Sequence, residues 1–192
     1  MDKQTENGME DTPLFDPKIL ELIDFSKSNG EYKPKISNRN PGDNLHLRPL
    51  SLGDFDRGFL KLLSELTKVG DVSQKQFADR FHQMKASPGG YFITVLENTE
   101  TQEVVATATL AVESKFIHST GARGRIEDVV VSKQYRGKQL GKLLLDCLTL
   151  LAPKVGCYKL SLECKDPLVD FYSTFGFSKE ANQNYMVQRF WE

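Results

Sequence analysis

The spacing of apolar residues switches along the chain between the period of strands and the period of helices. Residues 45–50 alternate in polarity, and residues 91–97 and 103–113 are rich in β-branched and aromatic side chains, which predicts three strands. Because only the polar turn 98–102 separates the last two strands, we expect them to form an antiparallel hairpin.

Two helices are predicted between the first strand and this hairpin. The first begins at Ser51 or Asp54, ends near Gly70, and places five apolar residues on one face: Phe55, Phe59, Leu62, Leu63 and Leu66. The second opens at residues 73–76, where the sequence Ser-Gln-Lys-Gln is a capping box, and it ends at residues 87–90.

The second half of the chain also mixes strands and helices. A Val-rich strand over residues 124–132 leads into an amphipathic helix over residues 137–152, which Pro153 and Gly156 end. Three further elements complete the chain: a strand over 157–164, a helix over 167–175 and a last strand over 185–190. Hairpins and crossovers alternate in this order, so we predict an α/β (α+β) domain with a central mixed sheet flanked by helices.

Residues 1–44 form a predicted extension to a domain that spans residues 45–192. The extension is polar and rich in proline, and we expect its first dozen residues to be disordered. The apolar residues that follow Pro17 predict a short helix docked on the domain: Ile19, Leu20, Leu22, Ile23 and Phe25.

Charge and composition exclude several classes of protein. The 25 Lys and Arg nearly balance the 26 Asp and Glu, so no global field attracts nucleic acid or an anionic membrane. We find neither an apolar run of about 18 residues nor the pattern of a secretory leader. The three cysteines, Cys147, Cys157 and Cys164, show no zinc spacing. We therefore expect a cytoplasmic protein with reduced thiols, without a metal, a nucleic-acid partner or an integral membrane segment.

Residues 129–142 carry the strongest chemical signal. A Val-rich strand ends, and a loop with Arg136, Gly137 and Lys138 runs directly into a helix. The start of a helix presents N–H groups without partners and a partial positive charge, and glycine lets the backbone approach a ligand closely. The pattern predicts a seat for a pyrophosphate. A basic, solvated loop that merely caps a core helix is the equal alternative.

Two common nucleotide-binding motifs do not fit this loop. A P-loop has four residues between its glycines and a hydroxyl after its lysine. Here Gly141 follows Gly137 one residue too early, and Leu143 stands where the hydroxyl would be. The three glycines of a dinucleotide-binding fold are also missing.

The loop over residues 136–141 resembles the acetyl-CoA pyrophosphate loop of the GCN5-related N-acetyltransferases (GNAT). Gln139 stands where that pattern has its middle glycine, and it still has an N–H to donate if its backbone is helical. Within that superfamily the chain resembles the glucosamine 6-phosphate N-acetyltransferases from about residue 45 to residue 189, and residues 13–17 resemble the extension of animal members. The blocks that carry this resemblance are residues 66–70, 115–118, 124–131, 156–159 and 169–177.

This resemblance implies a GNAT-type acyl-CoA N-acyltransferase fold and a reaction. The reaction moves the acetyl group of acetyl-CoA to the 2-amino group of D-glucosamine 6-phosphate, in UDP-N-acetylglucosamine biosynthesis. It implies direct attack in a ternary complex, because proximity of two bound substrates supplies much of the rate without a metal or a protein nucleophile. It also implies a homodimer with shared active sites.

The resemblance assigns roles to residues that would otherwise be interpreted as core. The backbone at Val129 would polarise the thioester carbonyl, Tyr172 would protonate the departing thiolate, and Glu163 would orient the amine or take its proton. On their own, the valines and the Phe-Tyr pair are typical of core packing. The positions that match coenzyme contacts are Val129, Val130, Val131, Arg136, Gly137, Lys138, Gln139, Leu140, Gly141, Lys142, Tyr172, Ser173 and Thr174.

A second set of positions matches the sugar contacts of that family. Glu127 and Asp128 are neighbours on a strand, and alternation alone would place them on opposite faces. A single Lys or Arg is ordinarily a solvated surface charge, but Arg suits bidentate binding of a phosphate. The matching positions are Thr67, Lys115, Phe116, Ile117, His118, Glu127, Asp128, Val129, Tyr158, Lys159, Glu163 and Arg189.

Three other hypotheses remain open at this point. The chain could acetylate a protein or a different amine, or it could bind acyl-CoA without catalysis. Cys164, next to Glu163, could form an acyl-enzyme, although no histidine lies close to it in sequence.

Overall fold

The computed structural model describes residues 11–87 and 89–190, and a five-stranded sheet forms its centre. The strands follow one another across the sheet in chain order; all neighbours are antiparallel except the last pair, which is parallel. This confirms the mixed sheet and the hairpin. The strands are β1 (Leu45–Pro49), β2 (Tyr91–Asn98), β3 (Val104–Ser114), β4 (Ala122–Val131) and β5 (Cys157–Leu162).

The helices agree less closely with the sequence pattern. The capping box is present, because the Ser73 hydroxyl accepts from the N–H of Gln76 and the Gln76 side chain accepts from the N–H of Ser73. The helix predicted from Ser51 to Gly70 is instead broken by Gly58, whose φ of +83° is left-handed. The helices are α1 (Phe59–Leu63), α2 (Gln74–Lys85), α4 (Leu140–Leu151) and α5 (Val169–Ser173), with 3-10 turns at Leu52–Phe55 and Lys133–Tyr135. The short element α3 (Ile117–Thr120) is a single turn whose last three residues have a left-handed φ.

The two faces of the sheet are covered by different elements. Helix α4 packs against β3 and β4, and its residues Leu143, Leu144 and Leu148 are fully buried. Helices α1 and α2 contribute Phe59, Leu62, Phe77 and Phe81 to a second cluster. A helix that is apolar on most sides, as α4 is, is held in place by its surroundings. Its first turn is therefore held in a fixed position relative to the sheet.

The extension is ordered over its described part. Leu14 donates to the carbonyl of Leu50 at 2.8 Å, and Leu52 donates to the carbonyl of Thr12 at 3.0 Å. Our expectation of disorder is therefore wrong for residues 11 and 12, and residues 1–10 lie outside the described part. In place of the predicted helix there are two 3-10 turns, Pro17–Leu22 and Phe25–Lys27. Leu20 of the first turn and Ile23, between the two turns, are buried in the main core.

The strand predicted at residues 185–190 is not present. Tyr185, Met186 and Phe190 are exposed by 63%, 89% and 77%. The alternating pattern suits a strand, but this tail pairs with no strand of the sheet, and a strand without a partner leaves its backbone groups unpaired. Across residues 11–87 and 89–190, no helix has both the length and the apolar character needed to cross a bilayer.

Candidate active site

A bulge interrupts the pairing of β4 with β3. Thr107 faces Val130 and Thr109 faces Glu127, so two residues of β4, Asp128 and Val129, lie opposite the single residue Ala108. Asp128 has a left-handed φ of +52°. Strict alternation of side chains fails at a bulge, so the argument that separated Glu127 from Asp128 does not hold here.

The other edge of β4 opens away from β5 close to this bulge. The parallel pairing begins at Ala122 with Cys157 and ends at Ile126 with Leu162, while β4 continues to Val131. Residues 127–131 thus lie beyond the last pair with β5, and within the described part of the chain this edge of β4 has no strand partner. Free backbone N–H and C=O groups at such an edge can bind an extended ligand as an added strand would.

The turn that follows β4 leads to the start of α4. Gly137 has a φ of +81° and Gln139 a φ of +62°, so the helix begins only at Leu140. The helix predicted from Gly137 therefore starts three residues later, and the condition that the backbone of Gln139 be helical is not met. No side chain of the described residues caps the first turn of α4, which leaves its N–H groups for an anion.

Three cations of the turn are held by different partners. The Arg136 guanidinium donates to the Val131 carbonyl at 3.3 Å and lies 3.5 Å from the Glu65 carboxylate. The Lys138 ammonium lies 4.8 Å from the centre of the Tyr135 ring. The Lys142 ammonium points to the extension, where it donates to the Glu31 carbonyl, rather than to the front of the turn.

Tyr172 lies on α5, the helix that follows β5 in the chain. Its ring packs edge-on against Phe171 and Phe177, with centroids 5.2 Å and 6.2 Å apart. Burial, followed by the nearby Cys164, raises the pKa of the Tyr172 phenol, which therefore keeps its proton at neutral pH. The hydroxyls of Ser173 and Thr174 donate to carbonyls of their own helix.

An arginine that the sequence analysis missed joins two of the predicted carboxylates. Arg125 lies 3.3 Å from Glu127 and 2.8 Å from Glu163. Arg125 and Glu127 are two apart on β4, and Arg125 pairs with Ser161, two before Glu163. Residues two apart share a face of a strand, so this register alone could have indicated the cluster.

Desolvation raises the pKa values of two acidic groups of β4, Glu127 and Asp128. It raises the pKa of Glu127, with the charges of Asp128 and Glu163 acting in the same direction and Arg125 acting against them. It also raises the pKa of Asp128, although that side chain keeps contact with solvent. Both groups therefore take up a proton more readily than free carboxylic acids.

The predicted sugar contacts of the β3–β4 loop form an exposed turn. His118, Ser119 and Thr120 all have a left-handed φ, between +51° and +61°, which is a strained conformation for such residues. The His118 ring stacks on Tyr158 with centroids 4.1 Å apart, and Lys115 pairs with Glu113. Phe116 is exposed by 97% and Ile117 by 60%.

The remaining predicted sugar contacts are scattered on the surface. Thr67 follows α1 and is exposed, Lys159 forms an ion pair with Glu180 at 2.9 Å, and Arg189 lies on the exposed tail. The structure thus joins Glu127 with Glu163 and His118 with Tyr158, but it does not gather the predicted cations into one phosphate site. Within residues 11–87 and 89–190, no three His, Cys, Asp or Glu side chains are grouped so as to hold a metal.

Comparisons with known proteins place the chain in a family. Residues 59–177 match the family described as Acetyltransferase (GNAT) family. The chain is 51% identical over 183 residues, or 94% of its length and 83% of the relative's, to a protein of Drosophila melanogaster named probable glucosamine 6-phosphate N-acetyltransferase. It is 37% identical to glucosamine 6-phosphate N-acetyltransferase 1 of Dictyostelium discoideum, over 73% of this chain and 89% of that one.

A solved structure extends the agreement to the fold. The crystal structure of glucosamine-6-phosphate N-acetyltransferase from Arabidopsis thaliana superimposes with a TM-score of 0.72 at 34% identity, covering 77% of this chain and 99% of that one. The comparisons confirm the fold class and the family expected from the sequence. The chain belongs to the GNAT family and, within it, to the glucosamine 6-phosphate N-acetyltransferases.

Proposed function

We propose that this chain transfers the acetyl group of acetyl-CoA to the 2-amino group of D-glucosamine 6-phosphate by direct attack in a ternary complex. The products are N-acetyl-D-glucosamine 6-phosphate and CoA, in UDP-N-acetylglucosamine biosynthesis. The observation that carries the proposal is the continuous path from the free edge of β4, through the turn, to the uncapped first turn of α4. The names of the relatives supply the substrate.

The coenzyme would lie along this path. Backbone groups of residues 129–131 would pair with the amides of the pantetheine arm, and the pyrophosphate would sit at the turn. Gly137 and Gly141 have no side chain that would keep a ligand away from the backbone of the turn. A Cβ on Gly141 would lie 3.4 Å from the Val131 side chain. Arg136 and Lys138 supply positive charge on the same turn.

The acyl transfer requires a neutral amine, donors for the developing oxyanion and a proton for the departing sulfur. The amine nitrogen bonds to the acyl carbon, the carbon–sulfur bond breaks, and the sulfur takes the phenolic proton of Tyr172. A backbone N–H at the bulge near Val129 would stabilise the oxyanion. Glu163, held by Arg125, would orient the amine and accept its proton.

The sugar half of the site would be completed by a second copy of the chain. The predicted contacts Lys115, His118 and Arg189 lie on an exposed loop and an exposed tail, next to apolar side chains without cover. A homodimer would bury those apolar residues and could bring Lys115, His118 and Arg189 towards the active site. The three free cysteines suit a reducing compartment, and we place the protein in the cytoplasm.

Release of free thiol from acetyl-CoA, measured with a panel of amines, tests this proposal. We expect turnover with D-glucosamine 6-phosphate, a higher Michaelis constant with glucosamine, and none with spermidine or a lysine peptide. Comparable rates with the peptide and no preference for the 6-phosphate would contradict the proposed substrate. Tight binding of CoA without thiol release would instead indicate a non-catalytic binding module.

A further inference from the structure

Residues 28–33 of the extension, which we call the clasp, lie along one face of α4. The clasp contacts Gln139 at the N-cap of the helix, Lys142 in its first turn and Asp146 one turn further. These three positions are spaced by three and four residues, so they share a face of the helix. The same helix presents the predicted pyrophosphate seat at its start.

Asp146 anchors one end of the clasp. Asp146 is only 2% exposed, and its carboxylate accepts hydrogen bonds from the Tyr32 hydroxyl at 2.9 Å and from the Ser28 hydroxyl. Burial and the charge of Asp146 raise the pKa of Tyr32, so the phenol remains a donor. Glycine is needed at position 30 of the clasp, because a Cβ there would lie 2.8 Å from the Tyr32 ring. A buried carboxylate with bound partners fixes the clasp on the helix.

Gln139 anchors the other end at the turn itself. Its side-chain amide donates to the carbonyl of Lys33 at 2.7 Å, and its oxygen accepts from the N–H of Lys33 at 3.5 Å. The backbone of Gln139 is left-handed, which glycine adopts freely and glutamine does not. The bonds to Lys33 offset this cost. The ring of Tyr32 lies 4.9 Å from the Lys142 ammonium, between the two anchors.

We propose that the clasp is a positioning element of the acetyl-CoA site. By holding Gln139 left-handed, it sets the direction of the N–H groups in the first turn of α4 and hence the affinity for the diphosphate. It takes no part in acyl transfer. This inference rests on the proposed function, since it assumes that the turn binds the diphosphate of the coenzyme.

The substitution Gln139→Gly separates this role from simple backbone preference. Glycine removes the conformational cost of the left-handed turn but also removes both bonds to Lys33. We expect the dissociation constant of CoA, measured by calorimetry, to rise about three- to tenfold, as the loss of one or two hydrogen bonds implies. An unchanged or lower dissociation constant would overturn the clasp.

Tyr32→Phe tests the other end with the ring kept in place. We expect the Michaelis constant for acetyl-CoA to rise about threefold, with kcat and the Michaelis constant for the sugar phosphate unchanged. Asp11→Asn is the matched control, because Asp11 ties the extension to Arg57 and Ser51, away from α4. A purely structural role of the extension would give both variants the same kinetics and would overturn the proposal.

S-Acetylpantetheine, which lacks the diphosphate, distinguishes the two proposals. If the wild-type chain binds it as tightly as acetyl-CoA, the turn does not hold the diphosphate and the proposed coenzyme site fails. If the wild type prefers acetyl-CoA, and Gln139→Gly and Tyr32→Phe both keep that preference in full, only the clasp is overturned. We expect the preference to shrink in both variants.

Discussion

The turn before α4 and the tail over residues 185–190 both carry predicted ligand residues, but their surroundings are opposite. The turn lies between β4 and the buried helix α4, and the extension holds it from a third side. The tail is exposed along its length and pairs with no strand of the sheet. Under the proposed function, one chain therefore organises the coenzyme half of the site, whereas the proposed sugar half needs a second chain to complete it.

Disruption of the tail should produce the largest effect. We expect Met186→Glu to convert the proposed dimer to a monomer, because it places a charge in the proposed interface, which would bury an apolar side chain now 89% exposed. Turnover with glucosamine 6-phosphate should fall by at least about 10³-fold as positioning of the sugar is lost. Binding of CoA should be retained.

Sedimentation gives the mass and calorimetry gives the CoA affinity of this variant. Gln183→Glu adds the same charge at an exposed polar position two residues before the tail, and this variant should keep the wild-type mass and activity. A monomeric Met186→Glu that turns over the sugar at the wild-type rate would show that one chain contains the whole site.

Tyr172→Phe should lower kcat by about 10²-fold, because it removes the proposed proton donor for the departing sulfur. The ring contacts with Phe171 and Phe177 do not involve the hydroxyl, so the fold and the Michaelis constant for acetyl-CoA should change little. Single-turnover kinetics isolate the chemical step. An unchanged rate of that step would exclude Tyr172 as the acid.

Initial-rate patterns decide between direct transfer and an acyl-enzyme on Cys164. Intersecting double-reciprocal lines are expected for a ternary complex, and parallel lines would support the acyl-enzyme. Direct transfer requires the coenzyme half and the sugar half of the site to be occupied at the same time, whereas an acyl-enzyme would form with the coenzyme half alone.

Arg125→Met should lower kcat/KM for the sugar about tenfold, as the loss of a charged hydrogen bond implies. Arg125 lowers the pKa of Glu127 while burial raises it. Removing the arginine therefore raises that pKa further. We propose that Glu127, a predicted sugar contact, binds the sugar as a carboxylate, so the acidic limb of the pH profile of kcat/KM for the sugar should move to higher pH. Arg123→Met is the control, because Arg123 lies two residues away on β4 and its side chain donates to the Ser161 hydroxyl at 3.2 Å rather than to Glu127 or Glu163. Equal profiles for the two variants would contradict the role of Arg125.

Local signals explain which parts of the fold could be predicted. The capping box at Ser73 and the short turn between β2 and β3 specify their elements within a few residues, and both were confirmed. The left-handed backbones of Asp128 and Gln139 could not be read from the sequence, because neighbouring elements impose a conformation that these residues avoid alone. The tail has the pattern of a strand, but pairing depends on a neighbour that its own sequence does not specify.

The candidate site divides along the same line. The turn at residues 136–141 could be predicted because its glycines and its position before a helix are local features. The link from Arg125 to Glu163 depends on the register of β4 with β5, which sequence alone did not supply. The contacts of the clasp join residues more than 100 positions apart and have no local signal.

The smallest effect is expected for Asp11, at the start of the described part of the extension. The hydrogen bond from Arg57 lowers the pKa of Asp11 to about 2, below its ordinary value of 3.8. A carboxyl group with a lowered pKa in the folded state stabilises the fold above about pH 4, and this contribution is lost as the pH falls towards 2. Because both side chains keep solvent contact, Asp11→Asn should cost less than about 1 kcal/mol at neutral pH. Urea unfolding at pH 7 and pH 3 should show the difference between wild type and variant shrinking at the lower pH. A difference that stays constant would mean that the pairing of Pro13 with Ser51, and not the ion pair, holds this end of the extension.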